Sequence, residues 1–288
     1  MNYKNKELIV IAGPTAVGKT SYAIEIAQKY KTEILSADSR QFYRELQIGT
    51  AAPTKEELSA APHHFIGNLS IHDYYNVSIY EQEAMALIDQ LFQKHDKLVV
   101  VGGSGLYIDA LCYGIDELPD ADEHLRSEIK RRYAEEGIEY LQKEIKRLDP
   151  EFYKEVDKNN YKRLQRALEV CLSTGKTYSS QRTHKKKIRP FKIRKLVLNM
   201  ERQLLYERIN KRVDKMMDLG LLSEVKSLLA FRELNALKTV GYTELFRFLD
   251  GEITLEQAIT DIKTNSRRYS KRQITWFKRY DDFEWIEL

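Results

Sequence analysis

The chain has 288 residues, of which 42% are hydrophobic and 10% aromatic, a composition typical of globular rather than disordered proteins. The mean hydropathy is −0.53 and no apolar run approaches the roughly 18 residues of a membrane-spanning helix, so no membrane partner is expected. The first residues lack the apolar region of a secretory signal, and two cysteines are too few for a disulfide framework. These features predict a cytoplasmic protein.

The formal net charge of +4 is distributed unevenly along the chain. Residues 158–195 contain 13 Lys and Arg but one acid, Glu169, so this stretch carries +12 and the rest of the chain −8. A second stretch, residues 262–280, contains seven Lys and Arg and no acid. Concentrated basic segments on an otherwise acidic chain indicate a polyanionic partner. The alternative is that both stretches are solvated helical faces.

The predicted elements alternate between strands and helices in chain order. Short Ile- and Val-rich runs that end in glycine or polar residues predict buried strands, whereas apolar residues three and four apart predict helices. This alternation is typical of an α/β fold with a parallel sheet, in which ligands bind at the carboxyl ends of the strands. Strands are predicted at 8–12, 33–37, 97–101 and 195–200, and helices at 20–30, 203–219, 221–231, 243–249 and 254–280.

The first predicted strand runs directly into a phosphate-binding loop. The sequence GPTAVGKT fits G-x-x-x-x-G-K-[ST] between a strand and a helix, the context that supports the motif. Backbone N–H groups of such a loop surround phosphate oxygens, Lys19 supplies a cation, and the Thr20 hydroxyl can bind Mg²⁺. The motif predicts a core like that of the P-loop NTPases, with a phosphate site at Gly13, Pro14, Thr15, Ala16, Val17, Gly18, Lys19 and Thr20.

Two further strand ends carry polar groups. P-loop NTPases usually end a second hydrophobic strand with an aspartate that holds Mg²⁺, but here the strand ends in Gly102-Gly103-Ser104-Gly105. A diphosphate held between the P-loop and Ser104 therefore fits better than ATP awaiting a water molecule. Asp38, at the end of another strand, is placed to accept a proton from a nucleophile. The alternative is that Asp38 caps a helix or stabilises a turn.

The chain is predicted to contain a mostly helical insertion. The sequence becomes charged and helical in period after Pro119, and a strand-like segment follows the basic stretch near residue 195. We therefore expect a core of residues 1–115 and 193–288, with an insertion at 116–192.

The motifs occur in an order that resembles the tRNA dimethylallyltransferase (tRNA isopentenyltransferase) family. The resemblance extends from about residue 8 to 280 and rests on GPTAVGKT, SADSRQFYRELQIGTAAPT, PHHFIG, VVVGGSGLYIDAL, KRLQRALEV, VGYTEL and KRQITWF. It implies transfer of a dimethylallyl group from dimethylallyl diphosphate to the exocyclic N6 amine of the adenosine 3′-adjacent to the anticodon, with release of diphosphate. The implied cofactor is Mg²⁺, and the implied partner is the tRNA anticodon stem-loop.

The resemblance also implies roles for matching positions. Asp38 matches the general base, while Lys19 and Ser104 match groups at the diphosphate, with Ser104 replacing the family's usual threonine. An arginine of the R-I-x-x-R helix, Arg208 or Arg212, reaches the diphosphate. The insertion matches tRNA-contacting positions. The implied tRNA contacts are Asp38, Ser39, Arg40, Gln41, Arg126, Lys162, Arg163, Leu164, Gln165, Arg166, Val240, Gly241, Tyr242, Lys271, Arg272, Gln273 and Trp276.

Two alternatives share some of these features. A P-loop kinase acting on a nucleoside or metabolite would have the loop and the α/β core but would not need the basic insertion. A non-catalytic RNA-binding module would bind tRNA but would not need dimethylallyl diphosphate or Asp38. Nothing in the sequence demands more than a monomer.

Overall fold

The computed structural model describes residues 3–120, 122–183 and 185–288. Residues 1, 2, 121 and 184, which fall within the predicted domain ranges, lie outside the described residues. The chain forms two compact units. The core unit comprises residues 3–113 and 188–288, and the insertion unit comprises residues 114–187. Among the described residues, no helix combines the length and apolar character needed to cross a membrane.

A six-stranded parallel sheet forms the centre of the core unit, in the order β3-β2-β4-β1-β5-β6. Such all-parallel sheets are covered by helices on both faces, so their central strands are continuously apolar. The predicted α/β class is confirmed. The strands are β1 (Glu7–Ala12), β2 (Ile34–Ser36), β3 (His63–His64), β4 (Lys97–Val101), β5 (Lys192–Asn199) and β6 (Glu284–Glu287).

The core unit contains eight α-helices among the described residues. The predicted helix at 221–231 is shorter than expected, because it ends at Ser227 and continues as a 3₁₀ turn, Leu229–Phe231. A second 3₁₀ turn spans Asn235–Leu237. The helices are α1 (Lys19–Tyr30), α2 (Lys55–Ala60), α3 (Val77–Leu91), α4 (Gly105–Tyr113), α10 (Arg202–Asp218), α11 (Leu221–Ser227), α12 (Tyr242–Leu249) and α13 (Leu255–Phe277) in the core unit, and those numbered between α4 and α10 are in the insertion unit.

The alternation of side chains along β1 divides the core between the two faces of the sheet. Leu8 and Val10 pack with buried residues of α3 and α4 on one face. Ile9 and Ile11 pack with buried residues of α1 and α10 on the other. A further cluster joins the second half of α10 to α11, α12 and α13 beyond the carboxyl ends of the strands. Helices α10 and α13 therefore connect the sheet to the region where the ligand of an α/β fold binds.

The insertion unit is helical and has its own apolar core. Its helices are α5 (Glu123–Glu136), α6 (Ile138–Leu148), α7 (Pro150–Glu155), α8 (Tyr161–Thr174) and α9 (Tyr178–Gln181). Buried Asp149 precedes α7, where its carboxylate accepts hydrogen bonds from the Phe152 N–H and from Ser179. The Asp-Pro pair thus begins a helix, since proline at the first helical position loses no hydrogen bond. The predicted mostly helical insertion is confirmed.

The predicted insertion, 116–192, differs from the observed unit at both ends: residues 114 and 115 belong to the insertion unit, and residues 188–192 lie in the core unit. Phe191 is buried in the sheet core, and Lys192 is the first residue of β5. The Arg189 side chain is 9% exposed and forms an ion pair with Glu81 of α3. The chain therefore re-enters the core unit before the strand begins.

Candidate active site

The phosphate loop is shaped by two glycines between β1 and α1. Gly13 has a φ of 145°, and a Cβ there would lie 2.6 Å from the Leu198 carbonyl oxygen of β5. Gly18 has a φ of 111° and stands at the N-cap of α1. Only glycine adopts such backbone angles without strain. The loop therefore directs the N-terminal end of α1, with its partial positive charge, toward an anion.

Lys19 and Arg212 bring two cations to this loop. The Lys19 ammonium donates a 2.7 Å hydrogen bond to the Pro14 carbonyl. Burial lowers the Lys19 pKa to about 7 against the opposing effect of Asp38, and the nearby Arg212 lowers it further. Arg212, on α10, donates to the Thr15 hydroxyl at 2.8 Å, and burial likewise lowers its pKa. An anion bound here would favour the charged forms of Lys19 and Arg212 and so raise both pKa values.

Arg208 and Arg212 both lie beside the phosphate loop, one helical turn apart on α10. Besides Thr15, Arg212 reaches the Thr50 carbonyl at 3.4 Å. The Arg208 guanidinium lies 3.5 Å from the position that a Cβ of Gly18 would occupy. The two arginines that the sequence left as alternatives therefore approach opposite ends of the same loop.

Asp38 follows β2 and opens a tight turn. One carboxylate oxygen, Oδ1, accepts a 3.0 Å hydrogen bond from the Arg40 N–H. The other, Oδ2, has no hydrogen-bond partner among the described residues, and Asp38 lines the same cavity as the phosphate loop. The carboxylate thus stabilises a turn with one oxygen and leaves the other for a ligand.

Ser104 is hydrogen-bonded to this turn through Ser39. Its hydroxyl oxygen accepts a hydrogen bond from the Ser39 N–H at 3.0 Å and donates to the Ser39 hydroxyl at 3.2 Å. The Ser104 residue is only 9% exposed. A Cβ at Gly102 would lie 2.4 Å from the Ala37 carbonyl, so an NTPase-like aspartate does not fit at the end of β4. The predicted diphosphate contact of Ser104 stays a prediction.

These groups open onto a cavity of about 1030 Å³ in the core unit. Its wall carries eight basic and three acidic side chains, so it suits an anionic ligand. Predicted residues that line it are Thr15, Ala16, Gly18, Lys19, Thr20, Asp38, Ser39, Arg40, Gln41, Arg208, Arg212, Val240, Gly241, Arg272 and Gln273.

One face of α13 forms part of the cavity wall, and sequence reasoning missed one of its residues. Tyr269 lies four residues before Gln273, on the same face. Its phenol interacts with Ser104, and burial together with the charge of Asp38 raises the Tyr269 pKa to about 12. The residues of α13 that line the cavity recur three and four positions apart, and this spacing is the pattern from which Tyr269 could have been predicted. They are Ile262, Asn265, Ser266, Tyr269, Arg272 and Gln273.

Other predicted tRNA contacts lie elsewhere in the core unit. Tyr242 is fully buried and donates a 2.6 Å hydrogen bond to Glu224, which holds it in the core. The Trp276 indole donates to Asp109 at 3.1 Å, and the guanidinium of Arg279 lies 3.8 Å from its ring centroid. Lys271 is exposed on α13. The roles of these residues toward RNA stay predictions.

In the insertion unit, the predicted contacts separate into paired and exposed side chains. Glu169, the single acid of the basic stretch, is buried and pairs with both Arg126 and Arg166 at 3.6 Å. Gln165 also donates to Glu169 at 3.1 Å. Leu164 is fully buried in the core of the unit, so its side chain serves packing. Lys162 and Arg163 are exposed in the first turn of α8.

Known proteins similar to this chain share one activity in their names. Residues 41–280 match the IPP transferase family. The tRNA dimethylallyltransferase 1 of Bacteroides thetaiotaomicron is 53% identical over 279 residues, which cover 97% of this chain and 91% of that protein.

Solved structures agree. The tRNA isopentenylpyrophosphate transferase of Bacillus halodurans is similar with a TM-score of 0.71 and 36% identity, covering 98% of this chain and 90% of that one. A eukaryotic dimethylallyltransferase acting on tRNA gives a TM-score of 0.79 and 26% identity, covering 98% of this chain and 74% of that one. Nothing in these similarities supports the kinase alternative. The predicted family and enzyme class are confirmed, and the chain belongs to the IPP transferase family, a family of prenyltransferases that modify tRNA.

Proposed function

We propose that the protein transfers a dimethylallyl group from dimethylallyl diphosphate to the exocyclic N6 amine of the adenosine 3′-adjacent to the anticodon of tRNA. The allylic carbon–oxygen bond breaks, the nitrogen–carbon bond forms, and diphosphate leaves. The observation that supports this most directly is the position of Asp38 on the same cavity as the phosphate loop and its cations. A carboxylate beside an anion site fits a nucleophile that loses a proton while diphosphate departs.

The phosphate loop and its cations stabilise the leaving group. Negative charge gathers on the diphosphate as the allylic bond breaks, and fixed charges aimed at such a group usually give the largest catalytic contribution. Lys19 and Arg212 are already positioned at the loop by Pro14 and Thr15. Arg208 adds a third cation near Gly18. We therefore assign diphosphate binding to both arginines.

Asp38 accepts the proton of the adenine amine. The amine is a weak nucleophile because its lone pair is delocalised into the ring, so a positioned base contributes about 10²–10⁴ in rate. The turn bond to Arg40 fixes the carboxylate through Oδ1, and Oδ2 receives the proton. The target base cannot be reached while it is stacked, so it leaves the anticodon stack and enters the cavity.

Mg²⁺ is the proposed cofactor, and the residues present suit it. Among the described residues, no three His, Cys, Asp or Glu side chains are grouped to hold a metal. Mg²⁺ commonly binds through few protein groups together with waters and substrate phosphates. The Thr20 hydroxyl lines the cavity beside Lys19 and would supply such a group. When bound, the cation neutralises charge on the departing diphosphate.

The insertion unit is proposed to bind the phosphates of the anticodon stem-loop. Such contacts position the RNA but do not distinguish its sequence. Lys162 and Arg163 are the exposed cations of α8. We further propose that the protein acts as a cytoplasmic monomer.

The test incubates the protein with tRNA, Mg²⁺ and dimethylallyl diphosphate, followed by digestion of the RNA and mass analysis of its nucleosides. We expect one adenosine per tRNA to gain one dimethylallyl unit. A parallel reaction with ATP in place of dimethylallyl diphosphate should leave the RNA unchanged. Gain of phosphate, or ATP turnover without prenyl transfer, would contradict the proposal.

A further inference from the structure

Gln273 joins the phosphate loop to the loop that follows β4. Its side-chain oxygen accepts a 2.8 Å hydrogen bond from the Thr15 N–H, and its side-chain nitrogen donates a 2.9 Å hydrogen bond to the Gly103 carbonyl. The residue is 5% exposed. The buried Gln273 amide therefore pairs with an N–H donor of the phosphate loop and with a carbonyl acceptor of the loop after β4.

Glycine at position 103 makes room for the Gln273 side chain. A Cβ at Gly103 would lie 2.2 Å from the Gln273 nitrogen, so the close approach of α13 to this loop requires glycine. The same Cβ position is 3.6 Å from the Gly13 carbonyl, which shows that the two loops are adjacent. Thr15 is held a second time through its hydroxyl, by Arg212. The Thr15 residue of the phosphate loop is thus fixed from α13 and from α10.

The position of Gln273 differs from what the family resemblance implied for it. A tRNA contact would need a polar atom of the side chain to be available to RNA. Both polar atoms of the Gln273 amide are engaged inside the protein, whereas Arg272 beside it lines the cavity and is exposed. We propose that Gln273 is a positioning residue that sets the spacing of the phosphate loop against the Gly102–Gly105 loop, and thereby the affinity for the diphosphate substrate.

This inference rests on the proposed function, in which the phosphate loop holds dimethylallyl diphosphate. Loss of two buried hydrogen bonds should weaken binding of that substrate while the RNA surface stays intact. We expect Gln273→Leu to raise the KM for dimethylallyl diphosphate about tenfold or more and to leave the KM for tRNA within twofold. The Thr15 N–H should also exchange with solvent faster, because its acceptor is gone.

Three further variants accompany Gln273→Leu. Gln273→Glu keeps the acceptor for Thr15 but places a carboxylate against the Gly103 carbonyl, so its pKa should be raised by burial. Its activity relative to the parent protein should recover as the pH falls, because the protonated acid restores the donor. Arg272→Gln should behave in the opposite way, with a raised KM for tRNA and an unchanged KM for dimethylallyl diphosphate. Thr275→Ala, on the exposed side of α13, should change neither KM.

The experiment measures both KM values and kcat for each variant, with hydrogen exchange of the peptide that contains residues 13–20. A raised KM for dimethylallyl diphosphate with faster exchange of this peptide supports the inference. A raised KM for tRNA alone, with unchanged exchange, would overturn it and return Gln273 to the RNA surface. If Gln273→Leu does not fold, the pH profile of Gln273→Glu decides, and a profile parallel to that of the parent protein counts against the inference. Failure of the proposed function would instead appear as no prenyl transfer by the parent protein.

Discussion

Arg189 and Glu81 form an ion pair at 2.7 Å in which the two side chains are 9% and 6% exposed. Arg189 also donates to the carbonyls of Ala110 and Leu111 at the end of α4. This arginine was counted among the 13 basic residues that suggested an RNA surface. Its guanidinium is instead paired inside the core unit, at the point where the chain returns from the insertion.

Replacement of Arg189 by Met should destabilise the protein. It removes one partner of a buried ion pair, and breaking such a pair costs about 3–5 kcal/mol. Urea unfolding should report this loss, while the exposed Lys192→Met should stay within about 0.5 kcal/mol of the parent protein. If Arg189→Met unfolds at the same urea concentration as Lys192→Met, the pair does not stabilise the core unit.

Exposed cations of the insertion unit should control the salt dependence of tRNA binding. The chosen positions are Lys162, Arg163 and Lys185, each changed to Gln; all three are exposed. Each lost phosphate contact should lower the slope of log affinity against log salt by roughly 0.7–0.9. The KM for dimethylallyl diphosphate should not change, because the phosphate loop belongs to the core unit. A slope equal to that of the parent protein would show that these side chains are only solvated.

Binding of dimethylallyl diphosphate should take up a proton at Lys19. The Lys19 pKa of the free protein is about 7, so above this pH the amine is mostly neutral. A bound diphosphate favours the charged form and raises the pKa, so binding takes up more protons at pH 8 than at pH 6 and weakens as the pH rises through 7. Calorimetry in buffers of different ionisation enthalpy measures this uptake. Lys19→Met should lack the proton uptake that comes from Lys19. An identical uptake in the parent protein and the variant would contradict the prediction.

Tyr269→Phe should slow transfer without unfolding the protein. The variant loses only the phenol hydroxyl, which interacts with Ser104. A neutral hydrogen bond contributes about 0.5–1.5 kcal/mol, so single-turnover transfer should fall by about two- to tenfold. Tyr206→Phe, whose hydroxyl accepts from Arg202 on the exposed side of α10, is the matched control. Equal rates for the two variants would mean that Tyr269 only packs.

The sheet and the phosphate loop could be predicted from the sequence because their signals are local. The strand Lys97–Val101 and the glycines around Lys19 follow from short patterns of apolar residues and turns. The edge strands β3 and β6 were missed, since two and four residues at the edge of a sheet carry little apolar pattern. Helix α3 was also missed. It begins after Asn76, whose side chain caps it by accepting hydrogen bonds from the N–H groups of Ser78 and Ile79.

The candidate site was harder to predict because its residues are brought together by tertiary structure. Motif order identified Asp38, Lys19 and Gln273 but not which atoms they contact. Tyr269 belongs to no quoted motif and joins the site only because α13 crosses the ends of the strands. Conversely, Tyr242 lies within a motif yet is buried against Glu224. Motifs indicate which segments matter, whereas packing decides which side chains reach the ligand.

The central claim is that Asp38 is the general base, and the variant that tests it is Asp38→Asn. Asparagine retains an oxygen for the Arg40 N–H, so the turn should persist, but it cannot accept the proton of the amine. The decisive measurement is the single-turnover rate of prenyl transfer at saturating tRNA and dimethylallyl diphosphate, with a melting curve of each protein. We expect both substrates to bind within a few-fold of the parent protein, an unchanged melting temperature, and transfer slower by about 10² or more. A variant that melts earlier but transfers at a near-normal rate would show that Asp38 only stabilises the turn.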